Sequence, residues 1–298
     1  PLLPASEVMT KIIQDLQEAR ILLNEDPVKT EGGLSSGNAG ESSNFLCYRA
    51  LRLNYYAVTG LLARVCLYAG QRENAFNYST EVIKASNNGI FPFVDRSLVN
   101  GTAQDPDRIF SPEVLFALSD SQRGELFEEY FDPSLAPNMV FRMETDLLEQ
   151  TIYGGTGTGG NLDDYRCRSN WISSGSARYF YKYSDMTESG RIENTMIPLL
   201  RLGEMYLIAA ESQSNSLANG VSYINTLRKN RGVSNLQTLT TTLLQYEYIR
   251  EVYGEGQLFF MYKRMYSSII RSNSATNNPA PSNAVFVVPL PDTETENR

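Results

Sequence analysis

Apolar side chains near the start of the chain recur every three or four residues, and this spacing predicts an amphipathic helix over residues 6–23. Ser6 is the expected N-cap, because its hydroxyl can accept a hydrogen bond from a backbone amide of the first turn. The apolar positions of this helix are Val8, Ile12, Leu16, Ala19 and Leu23. Residues 24–44 are rich in glycine and serine and are predicted to form a loop.

The next apolar run predicts a pair of helices. Asn54 is expected to cap a helix that continues to Ala69 and that Gly70 ends, and a second helix covers residues 72–85. Small and aromatic residues alternate along both helices, as in tetratricopeptide-like pairs whose helices lie closely together. Two more pairs are predicted, and their ranges are 202–213 with 221–229 and 243–253 with 257–266. Because stacked pairs bury faces that one pair cannot bury alone, we expect a mainly α fold of tetratricopeptide-like helix pairs.

The middle of the chain has a different pattern. Short strands are predicted at residues 109–110, 114–118 and 178–183, and residues 154–160 contain five glycines. Residues 127–183 contain 11 aromatic side chains in 57 positions, about 19%, against 11% for the whole chain. A loop-rich, aromatic-rich insertion between helix pairs is where we expect a ligand surface, because loops on a rigid scaffold commonly carry binding residues.

These patterns predict one domain over residues 1–298. Its helix pairs cover about 6–86 and 197–270, the irregular insertion covers about 90–196, and a tail covers 271–298. A length of 298 residues with 42% hydrophobic side chains is sufficient for one large core. No stretch approaches the 18 or so uncharged apolar residues of a transmembrane helix.

Composition excludes several classes of protein. The sequence has no histidine, which excludes Ser-His-Asp hydrolases, Cys-His proteases and zinc sites with an imidazole ligand. The net charge of −8, without a cluster of lysine and arginine, argues against a nucleic-acid partner. Gly155, Gly157 and Gly160 have the spacing of a dinucleotide-binding loop, but the expected strand and helix do not flank them. We therefore predict a flexible loop there and no cofactor, and no metal-binding motif is present.

Two groups of carboxylates require an explanation. Glu247, Glu251 and Glu255 lie on one face of a predicted helix, close to Arg250 and Arg264 in sequence. Paired carboxylates can serve a glycosidase, but three on one helix with arginines nearby favour ion pairs between helices. The second group lacks EF-hand spacing, so a calcium site is the weaker alternative there. Its members are Asp105, Asp107, Asp163 and Asp164.

Trp171 is the only tryptophan, and its sequence neighbours are serine, asparagine and arginine. An indole presented by a polar loop suits the C–H face of a sugar ring, with polar side chains bonding the hydroxyls. We predict Trp171 and Tyr153 as stacking platforms, with Tyr165 and Tyr130 as further aromatic candidates. The predicted hydroxyl partners are Asn170, Arg168 and Asp163. An equally weighted alternative is that the indole folds back and packs inside the domain.

Three stretches in the C-terminal half carry arginine, glutamate and glycine in a particular order. The first is 197–211 with Arg201, Glu204 and Glu211, the second is 224–233 with Asn225, Arg228, Arg231, Gly232 and Val233, and the third is 247–264 with Glu247, Arg250, Glu251, Glu255, Gly256, Lys263 and Arg264. Pro289 and Pro291 follow in the tail, with Asn297 beyond them. Four features upstream add to the pattern. They are the group Ile12, Ile13, Asp15 and Leu16, the helix at 61–70, Glu113, and the Asp164-Tyr165-Arg166 triplet. Together these motifs resemble the SusD/RagB family of surface lipoproteins of Bacteroidetes.

The resemblance implies a SusD-like fold and a function without catalysis. It implies that the protein binds an oligosaccharide at the cell surface and delivers it to a SusC-type TonB-dependent transporter. The motif residues are expected to hold helix pairs together. Alternatives are a peptide-binding member of the family or, less favoured, a histidine-free glycosidase that uses two carboxylates such as Glu251 and Asp164. Tyr248 stands where the family usually has arginine, so one ion pair is absent unless Arg250 replaces it.

The resemblance also concerns what precedes this chain. Members of the family begin with a lipoprotein signal, a lipidated cysteine and an N-terminal helical region, none of which is recognised in this sequence. We therefore expect this chain to be the C-terminal portion of a longer protein. Its membrane attachment would be a lipid anchor outside this chain, on the surface of the outer membrane.

Overall fold

Asn54 begins the helix pair that organises the first half of the protein. In the computed structural model its Oδ1 accepts a hydrogen bond of 2.9 Å from the Ala57 amide, as the sequence predicted, and its Nδ2 donates to the Leu115 carbonyl at 2.8 Å. Helices α3 (Tyr55–Tyr68) and α4 (Arg72–Asn87) pack against each other. Gly70 lies between them with a φ of 77°, a conformation that favours glycine.

The structure describes residues 3–36, 44–100, 103–154, 157–175, 177–188, 190–213, 216–269, 278–289 and 291. Gly155 of the predicted glycine loop lies outside these ranges, as do 271–277, 290 and 292–298 of the predicted tail. The chain divides into two compact units, Pro1–Glu251 and Val252–Arg298. The organisation of residues 1–298 as one domain stays a prediction.

The predicted helices are present in the first unit. Helix α1 (Ala5–Leu22) packs on α3, α4 packs on α7 (Leu202–Glu211), and α7 packs on α8 (Val221–Asn230). The short helix α2 (Val28–Glu31) follows α1. Every residue of α7 is buried, because neighbouring elements cover it on several sides. Helix α9 (Thr241–Val252) follows, and the second unit contains α10 (Leu258–Met265) and α11 (Asn283–Phe286).

Helix α1 differs from its prediction in the face that it buries. Ile13 is its one buried residue, whereas Val8 and Ile12 are 40% and 38% exposed. The helix is held through its C-terminal half, where Arg20 forms an ion pair of 2.7 Å with Glu81 of α4. It begins one residue before Ser6, with Pro4 at the N-cap position, so the predicted cap is wrong.

Two small antiparallel sheets form in the insertion and at the start of the region that follows it, where residues 197–201 are a strand and not part of a helix pair. One joins β1 (Val114–Ser119) to β5 (Met196–Arg201), and the other has the order β2 (Arg142–Glu144), β4 (Ala177–Phe180), β3 (Trp171–Ser174). The strand predicted at 114–118 is confirmed, whereas the one predicted at 109–110 is wrong. Phe110 has a φ of 57° and leads into a 3-10 turn at Ser111–Glu113. Strand β4 ends at Phe180, before the end predicted for it, because a turn begins at Tyr181, whose carbonyl accepts from the Ser184 amide at 3.0 Å.

Two further short helices lie in the insertion, namely α5 (Arg123–Tyr130) and α6 (Tyr165–Asn170), together with a π-helical turn at Leu147–Ile152. Helices therefore dominate the described residues and the sheets are small, which confirms the predicted fold class. Within the ranges given above, no helix combines the length and the apolarity needed to span a bilayer.

Candidate functional site

Arginines surround the Glu251 carboxylate in the interior of the first unit. Arg231 donates to both of its oxygens, at 3.0 and 2.7 Å, and Arg201 and Arg166 donate at 2.9 and 3.1 Å. Gly203 permits this arrangement, since a Cβ atom at that position would lie 2.1 Å from a Glu251 oxygen. Burial by itself would raise the pKa of Glu251, but Arg231 and Arg201 hold that pKa well below its ordinary value.

Glu247 is the second centre of the same group of charges. It accepts hydrogen bonds from Arg166 and Arg250, both at 3.0 Å, and from Arg228. Burial would raise its pKa, and the three arginines lower it. We call the complete group the ion-pair network, and its members are Glu113, Asp164, Arg166, Arg201, Arg228, Arg231, Glu247, Arg250 and Glu251.

The network joins segments that are distant in sequence. Arg231 pairs with Glu113 at 2.7 and 2.6 Å, across 118 positions. Arg250 donates to the carbonyls of Ile152 and Thr158 at 2.6 and 2.8 Å and so holds two segments of the insertion against α9. The predicted ion pairs of Glu247 and Glu251 are confirmed, as is the pairing of Arg250 with Glu247. These contacts are structural, because the side chains are buried and form ion pairs and hydrogen bonds with one another.

Tyr248 shows what replaces the arginine expected beside Glu247. Its hydroxyl donates a hydrogen bond of 2.7 Å to Glu211 of α7, and both side chains are buried. The tyrosine therefore links α9 to α7 without a charge of its own.

The structure places the predicted aromatic platforms inside the protein. Trp171, Tyr153 and Tyr165 are 6%, 2% and 9% exposed. Trp171 begins β3 opposite Phe180, and the two ring centroids are 5.0 Å apart. The expectation that a polar loop presents the indole is wrong in this structure, because strand pairing turns that ring inward. The alternative, an indole that packs inside the domain, agrees with these contacts.

Tyr153 and Tyr165 are buried for separate reasons. The Arg250 guanidinium lies 5.9 Å from the Tyr153 ring centroid, and burial raises the pKa of that phenol. The Tyr165 ring lies where a Cβ atom on Gly232 would approach it to 2.4 Å, and the φ of Gly232 is 74°. Glycine at position 232 is thus required both by its conformation and by this close contact.

The predicted polar partners are divided between interior and surface. Asn170 is buried, and its carbonyl accepts from the Tyr181 amide at 2.8 Å. Arg168 and Asp163 form an ion pair with each other, and their side chains are 52% and 70% exposed. These two are the members of the predicted set that solvent reaches freely. Ligand binding by the six residues stays a prediction.

Exposed aromatic rings lie at a different place in the insertion. Phe141 and Tyr130 are 64% and 39% exposed, and their ring centroids are 6.2 Å apart. Phe131 lies 5.7 Å from Phe141 and 5.9 Å from Phe180, so it connects the surface rings to the buried ones. We call the set of Phe127, Tyr130, Phe131, Phe141 and Tyr181 the aromatic ridge. Tyr130 and Phe141 are its exposed rings, Phe131 and Tyr181 are half-buried, and Phe127 is buried.

Helix α5 and the loop after it position the ridge. Arg123 anchors the start of α5 by donating to the Glu193 carbonyl at 2.6 Å and to Asp185 at 3.0 Å. At the other end the Phe141 amide donates to the Tyr130 carbonyl at 2.7 Å and closes the loop of residues 131–140. This contact brings two rings that are eleven positions apart to the same surface.

Tyr130 was a lesser candidate in the sequence, and Phe141 was missed. The signal that points to Phe141 is the run of turn-forming residues between the two rings, namely Asp132, Pro133, Ser134, Pro137 and Asn138. Asp132 indeed accepts from the Ser134 amide at 2.7 Å, which tightens the turn. Such a turn returns the chain toward α5, so that residues after it face residues before it.

Chemically, the ridge offers aromatic faces to a ligand, and the ion-pair network does not offer reactive groups. Within the described residues, no three aspartate, glutamate or cysteine side chains are grouped to hold a metal ion. Of the proposed calcium ligands, Asp164 is engaged by Arg166 at 2.6 Å, and Asp107 accepts from Ser111 at 2.8 Å. The arrangement is thus suited to holding apolar ring faces.

Comparison with known proteins agrees with this architecture. A family model described as the SusD family matches residues 121–285. The chain is similar to the crystal structure of a SusD-like carbohydrate binding protein from Bacteroides vulgatus, with 18% identity and a TM-score of 0.63 over 97% of this chain and 64% of that one. A putative sugar binding protein from the same organism gives 22% identity and a TM-score of 0.64, over 97% of this chain and 63% of that one.

A third similar structure contains a sugar. Surface glycan-binding protein A from Bacteroides thetaiotaomicron, in complex with laminarihexaose, is 17% identical with a TM-score of 0.65, over 99% of this chain and 69% of that one. No match is found among curated proteins. The chain thus spans less than two thirds of the length of the two Bacteroides vulgatus proteins.

Proposed function

Because the chain belongs to the SusD family, we propose that it binds an oligosaccharide and does not cleave it. The whole protein would be held at the surface of the outer membrane by a lipid anchor outside this chain. It would pass the sugar to a SusC-type TonB-dependent transporter. The observation that carries the binding proposal is the exposed Tyr130–Phe141 pair at the end of the aromatic ridge.

The geometry of this pair suits a sugar ring. The planes of the two rings are inclined by 43°, so the two faces are offered at different angles and do not form one flat plate. The C–H groups of a pyranose have the positive edge that the negative face of an aromatic ring attracts. Each such contact is worth about 1 kcal/mol, so two rings give modest affinity that allows release. Arg168 and Asp163, which are exposed, stay proposed as polar partners of the sugar.

The burial of the carboxylates supports binding without cleavage. A glycosidase needs two carboxyl groups that reach the glycosidic bond, with space for water in between. Glu251 and Asp164 have side chains 0% and 1% exposed, and arginines occupy both. Neither is accessible to a sugar in this arrangement.

One observation favours peptide binding as the second candidate. Strand β3 pairs with β4 on one side, and its residues Ile172, Ser173 and Ser174 are exposed. An extended peptide can add to such an edge through backbone hydrogen bonds. The edge is four residues long, which limits how much a peptide gains there.

The binding proposal is tested by titration with a panel of neutral and acidic oligosaccharides that includes laminarihexaose, and in parallel with a library of short peptides. We expect sugar binding to weaken about tenfold in Tyr130→Ala and in Phe141→Ala, since a tenfold change is about 1.4 kcal/mol. Phe260→Ala is the matched control, because Phe260 is also an exposed aromatic residue, at 47%, but is not part of the ridge. Binding of peptides alone, or sugar affinity unchanged in both ridge variants, would contradict the proposal.

A further inference from the structure

Arg108 differs from the buried arginines in what it contacts. All the fully buried arginines that the structure describes donate to carboxylates or carbonyl oxygens, and they are Arg49, Arg123, Arg166, Arg201, Arg228, Arg231 and Arg250. Arg108 is half-buried and donates to none of the described residues, and its Nε is buried without an acceptor. A guanidinium that has lost part of its water without gaining a partner is an unfavourable arrangement, and an anion at its terminal nitrogens, which are not among the buried unpaired atoms, would relieve part of it.

Arg108 forms no ion pair with a described residue, although a carboxylate acts on it. Asp105 is the opposite charge with the largest effect on Arg108, but it forms no ion pair with Arg108 and instead accepts from the Thr187 amide at 2.9 Å. Arg123 lies close enough to act as a like charge. Burial lowers the pKa of Arg108, and Asp105 offsets only part of that effect. Arg123 is itself paired with Asp185, and no carboxylate among the described residues pairs with Arg108, so the positive charge of Arg108 stays available to an anion.

Arg108 also lies at one end of the aromatic ridge. Its guanidinium carbon is 5.9 Å from the centroid of the Tyr181 ring, which in turn lies 4.9 Å from Phe127. Phe127 and Tyr130 are three positions apart on α5, and residues at that spacing are neighbours on one helix face. The ridge thus continues from a cation beside Tyr181 to the neutral exposed rings of Tyr130 and Phe141.

We propose that Arg108 binds an anionic substituent of the oligosaccharide, a carboxylate or a sulfate, while the sugar rings lie on the aromatic ridge. This inference rests on the proposed function, because it assigns the class of sugar to the same surface. The planar guanidinium presents paired N–H donors that match two oxygens of either group. The Tyr181 ring lies on one side of the guanidinium, and its two terminal nitrogens are left for the ligand, whereas Nε is buried.

The test is a glycan array with neutral, uronate-containing and sulfated oligosaccharides, followed by calorimetric titration of the glycan that binds best. We expect an acidic glycan to bind best, and Arg108→Met to weaken its binding about tenfold or more. Arg108→Lys keeps the charge but loses the paired donors, so its affinity for the acidic glycan is expected to lie between those of the wild type and Arg108→Met. Reducing the carboxyl groups of the glycan, or removing its sulfates, identifies which anion is recognised. The wild type and Arg108→Met should bind the treated glycan with equal affinity.

Arg72→Met is the control for the loss of one positive charge, since Arg72 is an exposed residue of α4. Arg108→Met is expected to melt at the wild-type temperature, because no hydrogen bond to any described residue is lost. Preference for neutral glycans, or acidic binding that Arg108→Met leaves unchanged, overturns this inference while the proposed function stands. Absence of binding to every glycan on the array overturns both.

Discussion

The ion-pair network and the aromatic ridge use their side chains in opposite ways. In the network, buried carboxylates pair with buried guanidiniums. Glu251, for example, accepts hydrogen bonds from Arg231, Arg201 and Arg166. In the ridge, Phe141 is 64% exposed and the guanidinium of Arg108 has no acceptor among the described residues. A region that stabilises a fold satisfies its own polar groups, whereas a region that binds a ligand leaves surface for it.

The difference also explains why family membership is visible in the sequence and the ligand is not. The motifs at 197–211, 224–233 and 247–264 supply most of the network, and the ridge contains none of them. Buried ion pairs require particular residues at particular positions, because an unmatched buried charge is costly. Exposed rings can be exchanged at little cost to the fold, so they have no comparable signature.

The largest expected effect tests the network. Glu251→Gln removes the charge that three arginines share, and we expect the free energy of unfolding to fall by about 3–5 kcal/mol, because the arginines stay buried without a counter-charge. Urea unfolding followed by circular dichroism measures this loss. Glu188→Gln is the control, since the Glu188 side chain is 74% exposed in its pair with Arg191, and a change within about 0.5 kcal/mol is expected there. A loss below about 1 kcal/mol for Glu251→Gln would show that the network does not hold the fold.

A smaller effect tests whether Trp171 belongs with the buried framework or with the ligand surface. Trp171→Phe keeps an aromatic ring opposite Phe180 but reduces its size, so we expect a stability loss of about 1–2 kcal/mol, less than the roughly 3–5 kcal/mol of truncation to alanine. Affinity for the glycan that the wild type binds should stay within about twofold. If titration instead gives a large loss of affinity with unchanged stability, Trp171 is a ligand residue, as the sequence predicted.

The smallest effect concerns Asp107, a buried carboxylate beside Arg108 in sequence that forms no ion pair with the described residues. Its Oδ2 accepts from the Ser111 amide and hydroxyl, both at 2.8 Å, while Oδ1 has no partner there. Burial raises the pKa of Asp107, and the Ser111 hydrogen bonds counteract part of that rise. Asp107 thus differs from the carboxylates of the ion-pair network, each of which is paired with an arginine.

The sign of its pH dependence follows from that shift. A carboxyl group whose pKa is raised in the folded state prefers to be protonated there, so stability falls as the pH rises from the ordinary pKa through the raised one. We expect Asp107→Asn to gain about 1 kcal/mol over wild type at pH 7, and the gain to disappear as the pH falls toward the ordinary value of 3.8. Thermal unfolding across this range measures it, and a gain that is constant with pH would contradict the assignment. Glu251 behaves oppositely, since its lowered pKa gives stability that is lost on acidification.

The helices were largely predictable because their signals are local. The Asn54 cap and Gly70 bound α3 as the sequence predicted, and α7 and α8 begin at the predicted residues. The face that α1 buries was predicted less well. Val8 and Ile12 have helical spacing, but their exposure depends on which elements cover that side of the helix.

The exposure of the candidate rings was not predictable from the sequence. The aromatic content of the insertion indicated the part of the chain in which the aromatic ridge lies, but the polar neighbours of Trp171 indicated an exposed indole. Pairing of β3 with β4 places that ring against Phe180. Phe141 becomes exposed because the hydrogen bond between its amide and the Tyr130 carbonyl holds it beside α5.

The sequence by itself determined the helical segments, the absence of histidine chemistry and the carboxylates of α9 that form ion pairs. These properties depend on residue type and on spacings within about two turns of helix. The tertiary structure decided which arginines meet those carboxylates, which rings are buried and which are exposed. Such contacts join positions as distant as Glu113 and Arg231, and their formation depends on how the segments pack, because burial is a property of the neighbours in space and not of the neighbours in sequence.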